Sequence, residues 1–552
     1  MDPSQLAEAV LAAAAAALAG LGADPAVLPP ATSVERPRNP GRGDYASALA
    51  LRVAKQAGVP PRELAQAIAD RLIADPAVES AEVAGGGFLN IRLRPAAAAA
   101  VVAVIVGRGA AYGRGTAQAG QRMNLEFVSA NPTGPVHIGH ARWAAVGDSL
   151  ARILRAQDAE VTTEYYFNDA GAQIGRFARS LLAAARHDAP PDDGYAGEYI
   201  GEIAQAVADK YPDAVGEPDA DALEVFRSEG VALMFREIKT SLEDFGVPFD
   251  VYFAEQDLHD RGELASALTR LSQAGHVYRA ERATWIRTTD YGDDKDRVYV
   301  RSNGEYTYFA ADCAYYLDKR SRGFGKLLII LGADHHGYVG RLRAIAACFG
   351  DDPDQTLEIL IGQLVNLVRD GQPLRMSKRA GAVVTLDDLV SAVGVDAARY
   401  ALARYSLDAP IDLDLDLWAR RSSDNPVFYV QYAHARIASL LRHAADSGLT
   451  RGETYDGALL TRDRETDLLK ALAHFPGVVA AAAELRQSHR IARYLEDLSG
   501  TYHRFYDACR ILPRGDEPLD DRGRARLWLA EAAKIVLANG LGLLGVTAPE
   551  RL

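Results

Sequence analysis

Apolar residues recur at helical spacing over most of this chain and collapse into short strand-like runs at a few places. In the first 95 residues the pattern predicts an alanine-rich helix, then helices over 46–56 and 61–73. A strand follows at 88–93, where Phe88, Asn90 and Arg92 alternate with Leu89, Ile91 and Leu93. Pro37, Pro40, Gly41 and Gly43 mark a linker between the first two helices, residues 96–106 predict a connecting helix, and 107–120 form a glycine-rich boundary. The character then changes. A short apolar strand at 123–128, a turn-rich 129–135, a helix over 139–156 and a strand at 161–167 make one βαβ unit. Ala144, Gly147, Leu150, Ala151 and Leu154 share one face of that helix. A second unit runs from a strand at 327–331 through a loop at 332–337 and a helix at 341–349 to a strand at 357–368. Two such halves about 150 residues apart predict a split nucleotide-binding sheet with an acidic, mainly helical insertion at about 188–272. From residue 417 onward the apolar spacing is helical throughout (429–441, 467–485, 491–508, 526–544), which predicts a helical bundle. The chain thus divides into an α/β unit at 1–110, a nucleotide-binding α/β unit at 118–415 and an all-α unit at 416–552.

Bulk properties narrow the classes. The 552 residues carry 61 basic and 74 acidic side chains, a formal charge of −13, which argues against indiscriminate nucleic-acid binding but leaves room for one RNA held by local arginine clusters. Cys313, Cys348 and Cys509 stand far apart, so neither a zinc site nor a disulfide framework is indicated, and a reducing compartment fits. The alanine-rich start lacks the basic lead of a signal peptide, and no run approaches the roughly 20 apolar residues that span a bilayer. Basic residues are mostly arginine, so a lysine in a suggestive loop carries extra weight.

Ligands of open parallel sheets bind beyond the carboxyl ends of the strands, where strand order reverses. Three polar clusters follow predicted strands: Glu126-Phe127-Val128-Ser129-Ala130-Asn131, His137-Ile138-Gly139-His140, and Gly332-Ala333-Asp334-His335-His336. A fourth, Arg375-Met376-Ser377-Lys378-Arg379, follows the last sheet element. Gly139 at a helix start would let a nucleotide approach the backbone, and bare N–H groups there would meet phosphate. His137 and His140 could donate to phosphate oxygens as charge develops. The prediction is that all four clusters converge on one crevice.

These runs resemble a known family. Pro135-Val136-His137-Ile138-Gly139-His140 resembles the HIGH motif of class I aminoacyl-tRNA synthetases, and Met376-Ser377-Lys378, about 240 residues on, resembles their KMSKS loop. The stretch from Glu126 through Asn131-Pro132-Thr133-Gly134 to His140, together with Asp293-Asp294-Lys295-Asp296-Arg297-Val298 and Gly332-Ala333-Asp334-His335-His336-Gly337, is similar to arginyl-tRNA synthetases. Residues 425–436 resemble the start of that family's anticodon-binding bundle. Gly43-Asp44-Tyr45-Ala46 and Gly87-Phe88-Leu89-Asn90 resemble its N-terminal tRNA-gripping domain. The resemblance spans essentially the whole chain. It departs at Arg375 and Arg379, which stand where the motif has its first lysine and last serine, leaving open which cation does what.

The resemblance implies a class I Rossmann-type catalytic domain between an α/β N-terminal domain and an all-α anticodon-binding bundle. The implied activity is activation of L-arginine with ATP and Mg²⁺, with no tightly bound cofactor, then transfer to the 2′-hydroxyl of the terminal adenosine of tRNA(Arg). Formation of the adenylate would require bound tRNA. His137, His140 and Lys378 would be catalytic, with Lys378 stabilising the leaving pyrophosphate. ATP would meet His137, Gly139, His140, Gly332, Asp334, His335, Met376, Ser377 and Lys378. Arginine would meet Glu126 and Asp312 at its guanidinium and Ser129 and Asn131 at its backbone end, with His137, Tyr308 and His336 nearby. A forked, always-charged substrate calls for carboxylates that can pair with it bidentately, and Tyr308 and Asp312 share a face if their segment is helical. Tyr429, Tyr432, Arg436, Arg490 and Arg493 are candidates for tRNA contact, because RNA loops favour aromatics beside arginine; Phe428, Arg486, His489 and Tyr494 fit the same description. The expected setting is a cytoplasmic monomer without membrane contact. A cysteine enzyme is disfavoured by the missing thiolate site and a glutamate enzyme by the acidic pair. Intact His137, Gly139, His140 and Lys378 disfavour a non-catalytic paralogue, and the flanking domains a small nucleotidylyltransferase.

Overall fold

Five parallel strands form the centre of the molecule, a computed structural model that describes every residue except 2, 36, 38–42, 170, 375–383 and 516. They are β1 (Arg122–Glu126), β2 (Glu160–Phe167), β3 (Val251–Ala254), β4 (Lys326–Gly332) and β5 (Leu357–Gly362). Their spatial order is β5-β4-β1-β2-β3. The chain starts in the middle, builds outward through β2 and β3, then returns to the other side of β1 to add β4 and β5. Strand order therefore reverses between β1 and β4, and the carboxyl ends of those two strands flank the crevice where such sheets bind ligands. Met123, Leu125, Leu327, Leu328 and Ile330 are buried, as a sheet covered on both faces requires.

The helix after β1, Ile138–Ala156, is buried along nearly its whole length, including Arg142 and Asp148. On the opposite face, the helix Tyr308–Ser321 packs with β4, Phe253 and Ile345 in a second core. Between β2 and β3 the helices Ala172–Ala185, Glu198–Lys210 and Asp219–Asp244 form the helical insertion. Expectations differ from the structure at four places. The predicted helical stretch 188–272 contains β3, a strand of the central sheet too short to show a period between long helices. The predicted strand 357–368 is two strands in different sheets, β5 and Val365–Arg369, the latter parallel to Ile411–Asp414. Between them, Gln363 donates its N–H to Leu407 O (3.0 Å) and offers its carbonyl to buried Arg142 (2.6 Å), which turns the chain out of the first sheet. The helix predicted at 46–56 begins only at Leu49, because Tyr45–Ser47 pairs with Phe88–Leu93. The connecting helix predicted at 96–106 is two, Pro95–Ala99 and Val101–Arg108.

The N-terminal unit has its own core, in which Leu6, Val10, Leu64 and Ile68 meet Leu89 and Ile91 of a three-stranded antiparallel sheet. It is pinned to the C-terminal bundle by Asp44, which accepts from Lys470 (2.6 Å) and from the N–H of Leu93 (3.0 Å). The bundle comprises Pro426–Asp446, Asp463–Ala473, Phe475–Glu484, His489–Ala508 and Asp521–Leu543, and its core is continuous with that of the Ile138–Ala156 helix.

Candidate active site

The crevice between β1 and β4 collects three of the four predicted clusters; the fourth, Arg375 to Arg379 with Met376, Ser377 and Lys378, lies outside the described residues. Beyond β1 the backbone takes two consecutive left-handed turns, at Val128 (φ 69°) and Ser129 (φ 44°). Such geometry is costly for a β-branched residue and persists only where the surroundings enforce it. Here Ser129 Oγ donates to Glu126 (3.0 Å) and accepts from the N–H of Tyr166 (3.2 Å), locking the turn between β1 and β2. Asn131 extends the lock, donating to Gln173 (2.7 Å) and accepting from the N–H of Asn168 (3.0 Å).

His137 and His140 lie with rings stacked 3.8 Å apart at the start of the Ile138–Ala156 helix. His137 is the N-cap: its Nδ1 accepts from the N–H of Gly139 (3.2 Å). A neutral imidazole that accepts at Nδ1 carries its proton on Nε2. A Cβ at Gly139 would lie 3.0 Å from the His137 ring, a tight approach that glycine avoids. The expected bare N–H groups are not what the structure shows. Gly139 donates to His137, and Ile138 donates to Val384 O (3.1 Å), while Leu386 donates back to Val136 O (2.7 Å). Orphan donors at a buried helix end need partners, and here the segment leaving the fourth cluster supplies one. That segment continues into the helix Leu386–Val393, whose Thr385 and Asp388 form a capping box.

The acidic wall carries more charge than the sequence suggested. Glu126 is buried and ion-paired with Lys319, itself 1% exposed. Lys319 also lies 4.3 Å from the ring of Tyr315. Asp312 is one helical turn beyond Tyr308, and its Oδ2 is buried without a hydrogen-bond partner. Burial pushes the Asp312 carboxyl up to about 7; the guanidinium of Arg341 opposes that rise, and Glu255 and Glu126 add to it. Arg341 lies over the Tyr338 ring at 4.1 Å, and its Nε is likewise buried and unpartnered. Glu255 accepts from the Tyr166 hydroxyl, and burial raises its pKa too. Tyr308 is 62% exposed at the rim. Asp334, His335 and His336 are exposed beyond β4, with His335 3.4 Å from Asp334. Gly332 opens that turn, since a Cβ would meet Asp334 Oδ1 at 2.5 Å. Lys319, Tyr166, Glu255 and Arg341 were not anticipated. Only Lys319 left a signal, being one of nine lysines in the chain and placed on the same helix as Asp312.

On the bundle, Phe428 and Tyr432 stack at 6.3 Å, and Arg436 lies 3.9 Å over Tyr506 and 3.3 Å from His503. Tyr432, Arg490 and Arg493 are exposed, whereas Tyr429 and Arg436 are partly covered. Arg486 is ion-paired with Glu358 of β5, tying the bundle to the central sheet, and His489 and Tyr494 are buried, so these three do not face solvent.

Three family models match the chain: the arginyl tRNA synthetase N-terminal domain at 4–93, the catalytic domain of class I (R) tRNA synthetases at 228–404, and the DALR anticodon binding domain at 430–552. An arginine–tRNA ligase of Kineococcus radiotolerans is 56% identical over 554 residues, covering 100% of both chains. The structure of Thermus thermophilus arginyl-tRNA synthetase superposes with a TM-score of 0.77 at 25% identity over 100% of both chains. That of the Plasmodium falciparum enzyme gives 0.71 at 16% identity, again over 100% of both, a likeness of fold. With its reversed five-stranded sheet, its paired histidines and its full-length match, the chain belongs to the class I arginyl-tRNA synthetases.

Proposed function

We propose that this arginine–tRNA ligase activates its amino acid in the crevice between β1 and β4, with Asp312 as the principal partner of the guanidinium. One observation carries the reading: a carboxylate oxygen shut away from water with nothing to accept from, beside Glu126 and Glu255. Buried polar atoms without partners are rare, and a forked cation satisfies this one. Glu126, held by Lys319 and Ser129, forms the rear of the pocket. Ser129 and Asn131 take the amino and carboxylate end, and Tyr308 and His336 line the entrance.

The substrate carboxylate attacks the α-phosphorus of ATP, forming the mixed anhydride and releasing pyrophosphate. The 2′-hydroxyl of the tRNA terminal adenosine then attacks the acyl carbon and AMP departs. Positioning and charge stabilisation carry such transfers, so no protein nucleophile is required. His137 and His140 donate toward phosphate oxygens, Gly332, Asp334 and His335 flank the nucleotide, and Met376, Ser377 and Lys378 approach the leaving pyrophosphate. The discrimination needs no editing site, because a smaller or neutral amino acid leaves Asp312 buried and unpaired, a penalty of the kind worth about 10⁴–10⁵ in rate.

Within the same reading, residues 1–110 and 416–552 grip tRNA(Arg), with Tyr429, Tyr432, Arg436, Arg490 and Arg493 on the anticodon side. Residues 118–415 do the chemistry. ATP arrives with Mg²⁺, and the chain works as a cytoplasmic monomer, as the family resemblance implies. The test is pyrophosphate–ATP exchange with each of the twenty amino acids, tRNA present. Exchange with arginine alone is expected. Exchange driven equally by lysine or glutamine overturns the pocket assignment.

A further inference from the structure

We infer that Arg399 is a positioning residue that ties the placement of His137 and His140 to the seating of the C-terminal bundle. The inference rests on the reading that those histidines face ATP. Arg399 lies in the helix Val395–Ala403 and is fully buried, far from the crevice. Its guanidinium joins three segments remote in sequence. One Nη pairs with Asp148 in the middle of the Ile138–Ala156 helix. The other donates to the carbonyls of Phe245 (2.9 Å) and Gly246 (3.1 Å), where the long insertion helix ends. Nε and Nη2 donate to the carbonyl of Leu544 (3.2 and 3.1 Å), the C-cap of the last bundle helix. The fit is closed: a Cβ on Gly545 would lie 2.0 Å from Nη2.

Leu544 O also accepts from Ser149 Oγ (3.4 Å), so the end of the bundle bears on the histidine helix both directly and through Arg399. At this junction the apolar core runs on from the bundle to the histidine helix. A surface pocket of about 400 Å³ opens beside it, lined by Tyr112, Arg114, Arg152, Phe475, Asn539 and Gly542. Within that packing Arg399 adds a directional polar tie from the end of the bundle to the helix. Asp148 lies eight residues from His140, about 12 Å along a rigid helix at 1.5 Å per residue. A displacement at Asp148 is thus delivered to the reacting end, where misplacement by about 1 Å costs on the order of 10²-fold in rate. A second polar tie at this junction, Asn539, donates to Gly109 O (3.0 Å) and Tyr112 O (2.9 Å), neither of which belongs to the helix.

The experiment uses the full-length enzyme with tRNA(Arg). Arg399→Lys keeps a cation for Asp148 but not the planar fork that serves the carbonyls. It is expected to lower kcat about tenfold or more while the KM values for ATP and arginine stay put, the pattern of a lost transition-state alignment. Asn539→Ala, which loosens the same junction without reaching the helix, is expected to lower Tm and leave kcat unchanged. If Arg399→Lys does not fold, the near-isosteric Asp148→Asn gives the same readout from the other partner. The inference is overturned if folded Arg399→Lys or Asp148→Asn turns over at the wild-type rate, or if Asn539→Ala lowers kcat as much. His140→Ala, run alongside, separates the two readings. A depressed rate there with a normal rate in Arg399→Lys removes only the role of Arg399, whereas a normal rate in His140→Ala removes the histidine assignment and, with it, the basis of the Arg399 effect.

Discussion

Lys319 is ion-paired with Glu126 inside the wall of the crevice, 193 residues away in sequence. One of the two acids expected to receive the substrate thus already has a cation, and Ser129 holds its other oxygen. Glu126→Gln should raise the arginine KM by about 10- to 100-fold, the size expected of a charge-assisted hydrogen bond, with much less effect on the ATP KM. Equal increases for both substrates would remove Glu126 from the amino-acid pocket. Lys319→Met should cost about 3–5 kcal/mol of stability by stranding a buried carboxylate, and the double variant with Glu126→Gln should regain most of it. Melting curves of the three proteins decide the point.

Asp312 supplies a pH dependence. With its pKa at about 7 in the free enzyme, it is largely protonated at pH 6 and offers a guanidinium no negative charge to pair with. The arginine KM should fall by about tenfold per unit as pH rises toward 7 and level off above, and Asp312→Asn should have a high, pH-independent KM. Stability runs the opposite way. The folded carboxyl binds its proton more tightly than an unfolded aspartate near 3.9, so its contribution is full below about pH 4 and lost as pH rises through 7. Asp312→Asn should therefore raise Tm most at pH 8, less at pH 5 and little below pH 4.

Lys378 stands where the second motif lysine belongs. Lys378→Ala should lower kcat about 10²-fold through loss of a preorganised charge at the leaving pyrophosphate. Stopped-flow measurement of adenylate formation checks this, and an unchanged rate rules the assignment out.

Exposed Arg490 and Arg493 offer charge to a polyanion without supporting the core. Replacing both by alanine should weaken tRNA(Arg) binding and reduce its salt dependence, with Tm unchanged. Filter binding across a salt series reads both quantities.

Much of this was legible in the chain. Strands β1 and β4 show as apolar runs because both faces of the sheet are covered, β2 shows by its β-branched and aromatic residues, and the bundle shows as unbroken helical spacing. The paired histidines are marked by the motif itself. β3 was invisible because four residues carry no period. The Lys319–Glu126 pair and the approach of Tyr166, Glu255 and Arg341 to Asp312 depend on tertiary placement, which local pattern does not encode. The helix start at His137 differs from expectation for the same reason: the Ile138 N–H goes to Val384 O and the Gly139 N–H to His137 itself, and only the fold reveals the approach of Val384. Arg486 looked like a surface arginine until β5 supplied Glu358.

The left-handed pair Val128–Ser129 sets robustness against competence. Each such residue costs on the order of 1–3 kcal/mol, against a net folding free energy of about 5–15 kcal/mol for a domain. Glycine at position 128 would relieve that strain, but Val128 is a buried core side chain, and its removal forfeits about 1.5–3 kcal/mol of burial. The same core that encloses Val128 thus enforces the angle at which Ser129 meets Glu126, so a durable variant of this enzyme is best sought elsewhere.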